Sequence, residues 1–450
     1  MTAVLPLPEL DTNRPLTLPP QREVTLANGL TVIAIQRPSV PLAEVRLRVP
    51  FAEAPLASGA MLAQTLFSGT STRTTVEIAA ELQTVGGALG AGVDPDRLLV
   101  SGNALTSGLD RLLELMAEVL HDATYPVQEV TTERDRLADR ISVALSQPSH
   151  LARVALLKRM YGSHPYAVQT PGVEEVRAVD PADLRALHAE RLHPAGATLV
   201  LVGDIDLDDA IALAEARLGM WNGGGRLIDL PPAPALEPGP LLLVDRPGAV
   251  QSSLRIALPA VGRTHPDHAA LQLANLVFGG YFSSRWVENI REDKGYTYGP
   301  HSMIEHSVAG SSMVMSAEVA TEVTAPALVE TFYELGRIAS LPPSEAELEQ
   351  ARQYALGTLQ LGMSTQAGLA GLASTYAGFG LRLDYLAVHS QRLEAATLAD
   401  VRRVAREHLA PAKAAAVVLG DASRIADEVA AIVSVAHPAH RPPNPQPQQK

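Results

Sequence analysis

Two side chains in the second half of the chain could act together on one group. Arg291 and Tyr298 lie in the run FGGYFSSRWVENIREDKGYTY, residues 278–298. The pattern predicts a helix that carries Arg291 on its last turn and ends at Gly295, then a strand that carries Tyr298. Because these two ends are neighbours, a guanidinium and a phenol could donate hydrogen bonds to one acceptor. The pattern alone favours a simpler interpretation, a solvated cation at a helix end and a strand aromatic. The predicted cap and buried positions of the helix are Ser283 or Ser284, Val287 and Ile290.

The histidines do not predict a metal site. His265 and His268 have a metal-like spacing, but the Pro-Asp between them predicts a turn before a helix, and no third ligand is near in sequence. We therefore expect them to be surface histidines. His301 and His306 fall in a predicted strand, where residues five apart face opposite sides. Two more histidines are predicted on a helix surface: His188 and His193. The chain has no intact His-x-x-Glu-His or His-Glu-x-x-His and no cysteine, which excludes thiol nucleophiles, iron–sulfur clusters and cysteine zinc sites.

Two similar halves must position these residues. Residues 222–240 are rich in Gly and Pro and predict a semi-rigid linker. Residues 179–205 and 396–422 match at a constant offset of 217. Each segment predicts an amphipathic helix, a turn with Pro and an apolar strand that ends at a Gly-Asp pair. This favours a tandem duplication over two unrelated helix–strand units. Strands with alternating polar residues predict sheets with one face in water.

We therefore predict an α/β (α+β) fold of two tandem homologous α/β sandwich domains. Each domain would be a mixed or antiparallel sheet with helices on one face. Each half is expected to fold as its own sandwich, with the linker as the first site of proteolysis. The predicted boundaries are a disordered N-terminal tail at 1–21, a first domain at 22–221, the linker at 222–240, a second domain at 241–435 and a disordered C-terminal tail at 436–450.

The charge and hydropathy of the chain exclude several classes of function. Lys and Arg number 36 against 49 Asp and Glu, a net charge of −13. An acidic chain repels phosphate, which argues against a nucleic-acid partner and against a basic membrane-binding patch. No apolar run is long enough to span a bilayer, and the first residues lack the charged and apolar regions of a signal peptide. We expect a cytoplasmic protein.

Several stretches together resemble the M16 metallopeptidases, the group of pitrilysin, insulin-degrading enzyme and the mitochondrial processing peptidase. The size and two-half layout are most similar to the bacterial M16B branch. The resemblance covers nearly all of residues 22–430. The stretches that carry it are LANGLTVIAIQ at 26–36 and the segments 58–96, 162–206 and 278–298.

The resemblance implies that the zinc site of the family is lost in this chain. The family motif His-x-x-Glu-His places two imidazoles one helical turn apart on a zinc ion, with the Glu as general base, and a Glu further along the chain completes the ligands. Aligned on the run LFSGT, the two His positions fall on Ala60 and Gln64, the base on Ala63 and the distal ligand on Arg140. Two alanines and a glutamine cannot hold Zn²⁺, and a guanidinium repels it. We expect no metal ligand, catalytic residue or cofactor in this chain.

The same resemblance gives Arg291 and Tyr298 a role. They match the family pattern R-E-x-x-G-x-x-Y, whose Arg and Tyr bind substrate and donate to a peptide carbonyl as it becomes an oxyanion. M16B heterodimers divide the site between a zinc-bearing subunit and a zinc-free subunit that supplies the Arg/Tyr pair. The sequence thus predicts the zinc-free, non-catalytic subunit of a heterodimeric peptidase, with zinc in the partner and a peptide as substrate. Two alternatives remain at this stage, a structural scaffold and a peptide-binding homodimer.

Overall fold

The computed structural model describes residues 16–223 and 227–437. Residues 1–15 and 438–450, which make up most of the two predicted tails, and residues 224–226 of the predicted linker lie outside the described residues. Leu16 and Leu18, from the end of the predicted N-terminal tail, pack against an apolar cluster, and the first strand starts at Gln21. The domain boundaries stay a prediction.

The strands of the described residues are β1 (Gln21–Thr25), β2 (Thr31–Gln36), β3 (Leu42–Pro50), β4 (Ala88–Val93), β5 (Arg97–Leu105), β6 (Thr198–Gly203), β7 (Leu241–Asp245), β8 (Gln251–Pro259), β9 (His301–Ser307), β10 (Gly310–Ala320), β11 (Ala415–Gly420) and β12 (Val435–Ala436).

The helices of the first half are α1 (Leu56–Thr65), α2 (Thr75–Thr84), α3 (Leu109–Asp122), α4 (Val127–Ser146), α5 (Pro148–Tyr161), α6 (Val173–Arg177), α7 (Pro181–Arg191) and α8 (Leu207–Leu218). The helices of the second half are α9 (His268–Asn275), α10 (Arg285–Val287), α11 (Thr324–Ser340), α12 (Glu345–Ser364), α13 (Gln366–Ala377), α14 (Tyr385–Ala395), α15 (Leu398–His408) and α16 (Ala422–Ala430).

The strands form two mixed six-stranded sheets that share five strand positions and differ at one edge, where β1 joins β2 antiparallel and β12 joins β7 parallel. The order is β1-β2-β6-β3-β5-β4 in the first sheet and β12-β7-β11-β8-β10-β9 in the second. In each sheet one central pair is parallel, β2 with β6 and β7 with β11, and the next strand joins antiparallel. The predicted α/β class with two mixed sheets is confirmed.

The repeated sequence forms the same helix and strand in both halves. Pro181 and Leu398 begin α7 and α15, and Thr198 and Ala415 begin β6 and β11, so both elements recur 217 residues later. Each helix also starts in the same way, because the third residue of each helix, Asp183 or Asp400, completes a capping box with the residue before the helix. Equivalent residues therefore stabilise equivalent helix ends.

Each half packs one of its helices on the sheet of the other half. The helices of the first half cover one face of its sheet, whereas the other face, with Ile33, Val200 and Val202, packs against α13 from the second half. Reciprocally, α5 from the first half packs on β8 and β11 of the second sheet. The expectation of a face in water is therefore wrong for the central strands, because a helix from the opposite half covers that face.

None of the helices in the described residues has both the length and the apolar character that crossing a bilayer requires.

Candidate functional site

The first half carries the positions that the sequence aligned with a zinc site. Gln64 lies on the exposed side of α1, and Arg140 lies on α4, which packs beside α1. Arg140 Nη2 donates a hydrogen bond to Gln64 Oε1 at 3.1 Å. Ala63 is only 4% exposed, so the position aligned with the general base is packed in the core. The structure brings Gln64 and Arg140 together, and what they present is an amide and a permanent cation.

These residues do not fit a zinc ion. Zn²⁺ takes thiolate, imidazole or carboxylate ligands, and none of the four side chains at these positions has such a group. The positive charge of the Arg140 guanidinium repels a divalent cation. Across residues 16–223 and 227–437, no group of three or more His, Cys, Asp or Glu is placed to hold a metal ion.

The predicted helix before Arg291 is present, but its end is a π-helix. It begins as α10 and continues as a π-helical stretch from Glu288 to Asp293, which carries Arg291. Val287 and Ile290 are buried as predicted, at 3% and 0% exposure. The hydroxyl of Ser284 bonds back to the Tyr281 carbonyl and does not cap the helix. A π-helical turn is often found at functional sites, and the residue pattern did not reveal it.

Tyr298 lies in the loop before β9, so its predicted place on a strand is wrong. The chain turns after the helix at Gly295, whose φ of +65° suits glycine. β9 starts only at His301, because Pro300 directly before it has no N–H to donate to a ladder. The side chain of Tyr298 is left 86% exposed.

Arg291 and Tyr298 nevertheless meet, as the sequence predicted. The Cζ atom of Arg291 lies 5.1 Å from the centroid of the Tyr298 ring. The same Cζ lies 4.1 Å from the centroid of the Phe282 ring, a residue that the sequence reading missed. Phe282 is one of several aromatics in the run at 278–298, and nothing in the sequence pattern marks it as a partner of Arg291. The site in the second half is therefore a guanidinium flanked by two exposed aromatic rings.

Two models of one peptidase family match the chain. The model described as "Insulinase (Peptidase family M16)" matches residues 59–172, and the model described as "Peptidase M16 inactive domain" matches residues 178–354. The chain belongs to the M16 peptidase family. The first match contains the four positions of the lost zinc site, and the second contains Arg291 and Tyr298.

M16 relatives match both parts of the chain and most of its length. A Mycobacterium leprae protein named an uncharacterized zinc protease is 29% identical over 290 residues, 62% of this chain and 65% of that protein. A Mycobacterium bovis protein of the same description is 27% identical over 412 residues, 89% of this chain and 93% of that protein.

Solved M16 structures share the fold. A peptidase M16 inactive domain from Pseudomonas fluorescens superimposes with a TM-score of 0.81 at 24% identity, over 89% of this chain and 98% of that one. A protease from Helicobacter pylori superimposes with a TM-score of 0.83 at 19% identity, over 89% of this chain and 100% of that one. At these identities the comparison establishes the fold.

An apolar cavity of about 360 Å³ lies beside the lost zinc site of this M16 chain. Ala60 forms part of its wall, together with Phe51 and Leu56 before and within α1, Val93 at the end of β4 and Val168. The small side chain at position 60 thus leaves open space beside the exposed part of α1. A mainly apolar cavity of this size suits an apolar side chain better than an ion.

Several histidines are more buried than the sequence predicted. His268 is 3% exposed, so its expected place on the surface is wrong, whereas His265 is exposed. His268 Nε2 lies 3.1 Å from His306 Nε2, and its Nδ1 lies 3.1 Å from the Tyr385 hydroxyl. His301 and His306 do face opposite ways, since His301 is exposed while His306 reaches this buried cluster.

Burial controls the charge of this histidine cluster. Desolvation, with a smaller contribution from neighbouring histidines and arginines, lowers the pKa of His268 to about 2 and that of His306 to about 3. His188 and His193 in the first half are also less exposed than predicted, and burial lowers the pKa of each. His188 contacts the Tyr125 hydroxyl at 2.7 Å. All four therefore lie at least partly inside the fold.

Proposed function

We propose that this chain is the zinc-free, non-catalytic subunit of a heterodimeric M16B-type peptidase. It supplies Arg291 and Tyr298 to a site whose zinc is held by a partner subunit, and it forms half of the peptide chamber. The observation that carries the proposal is the Arg140–Gln64 hydrogen bond at the aligned zinc positions, in a chain that keeps an exposed Arg–Tyr pair. The cytoplasmic location expected from the sequence remains part of this proposal.

The proposed chemistry of the pair follows from its donors. Arg291 offers up to five N–H groups and Tyr298 one O–H group. Donors aimed at a peptide carbonyl stabilise the negative charge that develops on its oxygen when a nucleophile attacks. The high exposure of Tyr298 leaves its hydroxyl accessible to a second molecule. The zinc of the partner would activate the attacking water.

The relatives support the peptidase setting of this proposal. The mycobacterial proteins are named zinc proteases. The matches cover 62% and 89% of this chain, whose residues at the four aligned positions could not ligate the metal. A retained pair of donors has no evident use in a scaffold that never meets a peptide. This argument favours the peptidase subunit over the scaffold.

The test is reconstitution with a zinc-bearing M16 protein from the same genome. The full-length chain alone should hold no stoichiometric zinc and cleave no fluorogenic peptide. Mixed with the partner, it should elute as a heterodimer that holds one zinc and cleaves peptide. Arg291→Ala should abolish most turnover without changing assembly, and Arg402→Ala, an exposed arginine of α15, is the matched control.

The other outcomes are equally specific. One tightly held zinc in the isolated chain would disprove the proposal. A homodimer that binds peptide without a partner would identify the peptide-binding alternative. A heterodimer that forms normally but gains nothing from Arg291 would indicate a scaffold.

A further inference from the structure

Phe282 is a large apolar side chain at the surface beside Arg291. It follows a π-helical stretch, Leu276–Gly280, and precedes α10, and its ring is 59% exposed. Single exposed apolar residues are common and need no function of their own. Phe282 differs because a guanidinium lies over its ring, with Arg291 Cζ 4.1 Å from the centroid. This contact is closer than the 5.1 Å contact with Tyr298.

Other contacts hold Arg291 more loosely. Its Nε lies 3.4 Å from Glu292 Oε1, and the Glu292 side chain is 53% exposed. An exposed ion pair between chain neighbours is screened by water and does little to fix a side chain. A guanidinium stacked on an aromatic face is better fixed, and the N–H groups at its edge stay free to donate.

We infer that Phe282 is a positioning residue for Arg291. Its ring holds the guanidinium so that the N–H edge, together with the Tyr298 hydroxyl, is ready for a substrate carbonyl. The inference rests on the proposed function of the Arg291–Tyr298 pair. Phe282 acts through Arg291 and does not itself contact the reacting atoms. A leucine at this position would keep much of the volume but would lack the aromatic face.

The contact itself is tested without any partner. In the full-length chain labelled with ¹⁵N-arginine, the Arg291 Nε–H resonance is assigned by its loss in Arg291→Lys. Ring currents should shift this resonance upfield in the wild type and in Phe282→Tyr, and Phe282→Leu should remove most of the shift. Tyr333→Leu is the matched control, since it removes another exposed ring of the same half, 58% exposed. An unchanged Arg291 resonance in Phe282→Leu would overturn the inference.

The consequence is tested in the reconstituted heterodimer. Because misplaced catalytic groups lower the rate of the chemical step, Phe282→Leu should reduce kcat about tenfold and change KM less than about twofold. Phe282→Tyr should restore kcat. Wild-type kcat in Phe282→Leu, with kcat lost in Arg291→Ala, would overturn the positioning role alone. A heterodimer that is inactive with every version of this chain would overturn the proposed function and this role with it.

Discussion

The two halves have similar sheets and each packs one helix on the sheet of the other, yet their candidate sites differ. In the first half Arg140 and Gln64 bond to each other, so their polar groups are used within the chain. In the second half Arg291 and Tyr298 touch only through a ring face, and Tyr298 is 86% exposed. The polar groups of the first site bond to each other, whereas those of the second site are accessible to another molecule. The two similar sheets therefore support one site whose side chains cannot hold a metal and one site with exposed hydrogen-bond donors.

Substitutions at two of the positions aligned with a zinc site are expected to leave the fold intact. Gln64 and Arg140 both lie on exposed helix surfaces, where substitutions usually change stability little. The helices α1 and α4 are held by their buried faces, which include Met61, Leu62 and Ile141. Of the four aligned positions, Ala63 alone is packed in the core, at 4% exposure.

The largest expected effect comes from separating the halves. We consider two pieces, residues 1–230 and residues 231–450, each expressed alone. Neither piece should show a cooperative unfolding transition. In the first piece α13 would no longer cover Ile33 and Val200, and in the second piece α5 would no longer cover the sheet. This revises the expectation that each half folds as its own sandwich. Co-expressed, the two pieces should co-elute, and full-length chain cut in the linker should stay together until urea is added. A soluble piece with a sharp thermal transition of its own would contradict this interdependence.

The next prediction tests whether a change of three side chains in the first site is enough to give zinc binding. The triple variant Ala60→His, Gln64→His and Arg140→Glu should take up one zinc per chain that survives desalting, measured by metal analysis. Ala63 is left unchanged, because a carboxylate at that buried position would be desolvated. The double variant that keeps Arg140 is the control and should bind far less zinc. Absence of zinc in the triple variant would mean that the backbone has diverged too.

A third prediction sharpens the role of the open site. In the heterodimer, Tyr298→Phe should lower kcat on the order of 10²-fold, about 3 kcal/mol of transition-state stabilisation, as found for other single oxyanion donors. This variant deletes only the hydroxyl and keeps the ring beside Arg291. Assembly and the zinc content of the partner should be unchanged. Cleavage at the wild-type rate would remove Tyr298 from the mechanism.

The sequence predicted those features of the molecule that depend on local pattern. The 217-residue repeat predicted an equivalent helix and strand in each half, and the helices do start 217 residues apart. Arg291 and Tyr298 meet as expected, although Tyr298 lies in the loop before β9 and not on the strand. The exchange of α5 and α13 was not predictable, because a helix pattern shows an apolar face but not which sheet covers it. Phe282 was missed for the same reason, since its partner is defined only in three dimensions.

The buried histidines offer a smaller test of how the halves differ. The second half holds a contacting group of three, in which His389 stacks on His268 with ring centroids 4.8 Å apart. His389 Nε2 donates a hydrogen bond to Gln272 Oε1 at 2.7 Å. Burial, followed by the charges of Arg263 and Arg392, lowers the pKa of His389 to about 4. The two buried histidines of the first half, His188 and His193, lie in separate surroundings.

The sign of the pH effect follows from these shifts. Above about pH 6.5 the histidines are neutral in both the folded and the unfolded chain. Between about pH 6.5 and 4 the unfolded chain binds a proton at position 389 and the folded chain does not, so the free energy of unfolding falls as the pH is lowered. One histidine contributes at most about 1.4 kcal/mol per pH unit to the slope of the free energy of unfolding against pH.

His389→Gln should therefore make this slope shallower between pH 6 and pH 4.5, as measured by urea titrations, since an amide takes up no proton there. His265→Gln, at an exposed position of the same half, should leave it unchanged. If His389→Gln keeps the full slope, the acid sensitivity arises outside this cluster, and the two halves do not differ in this respect.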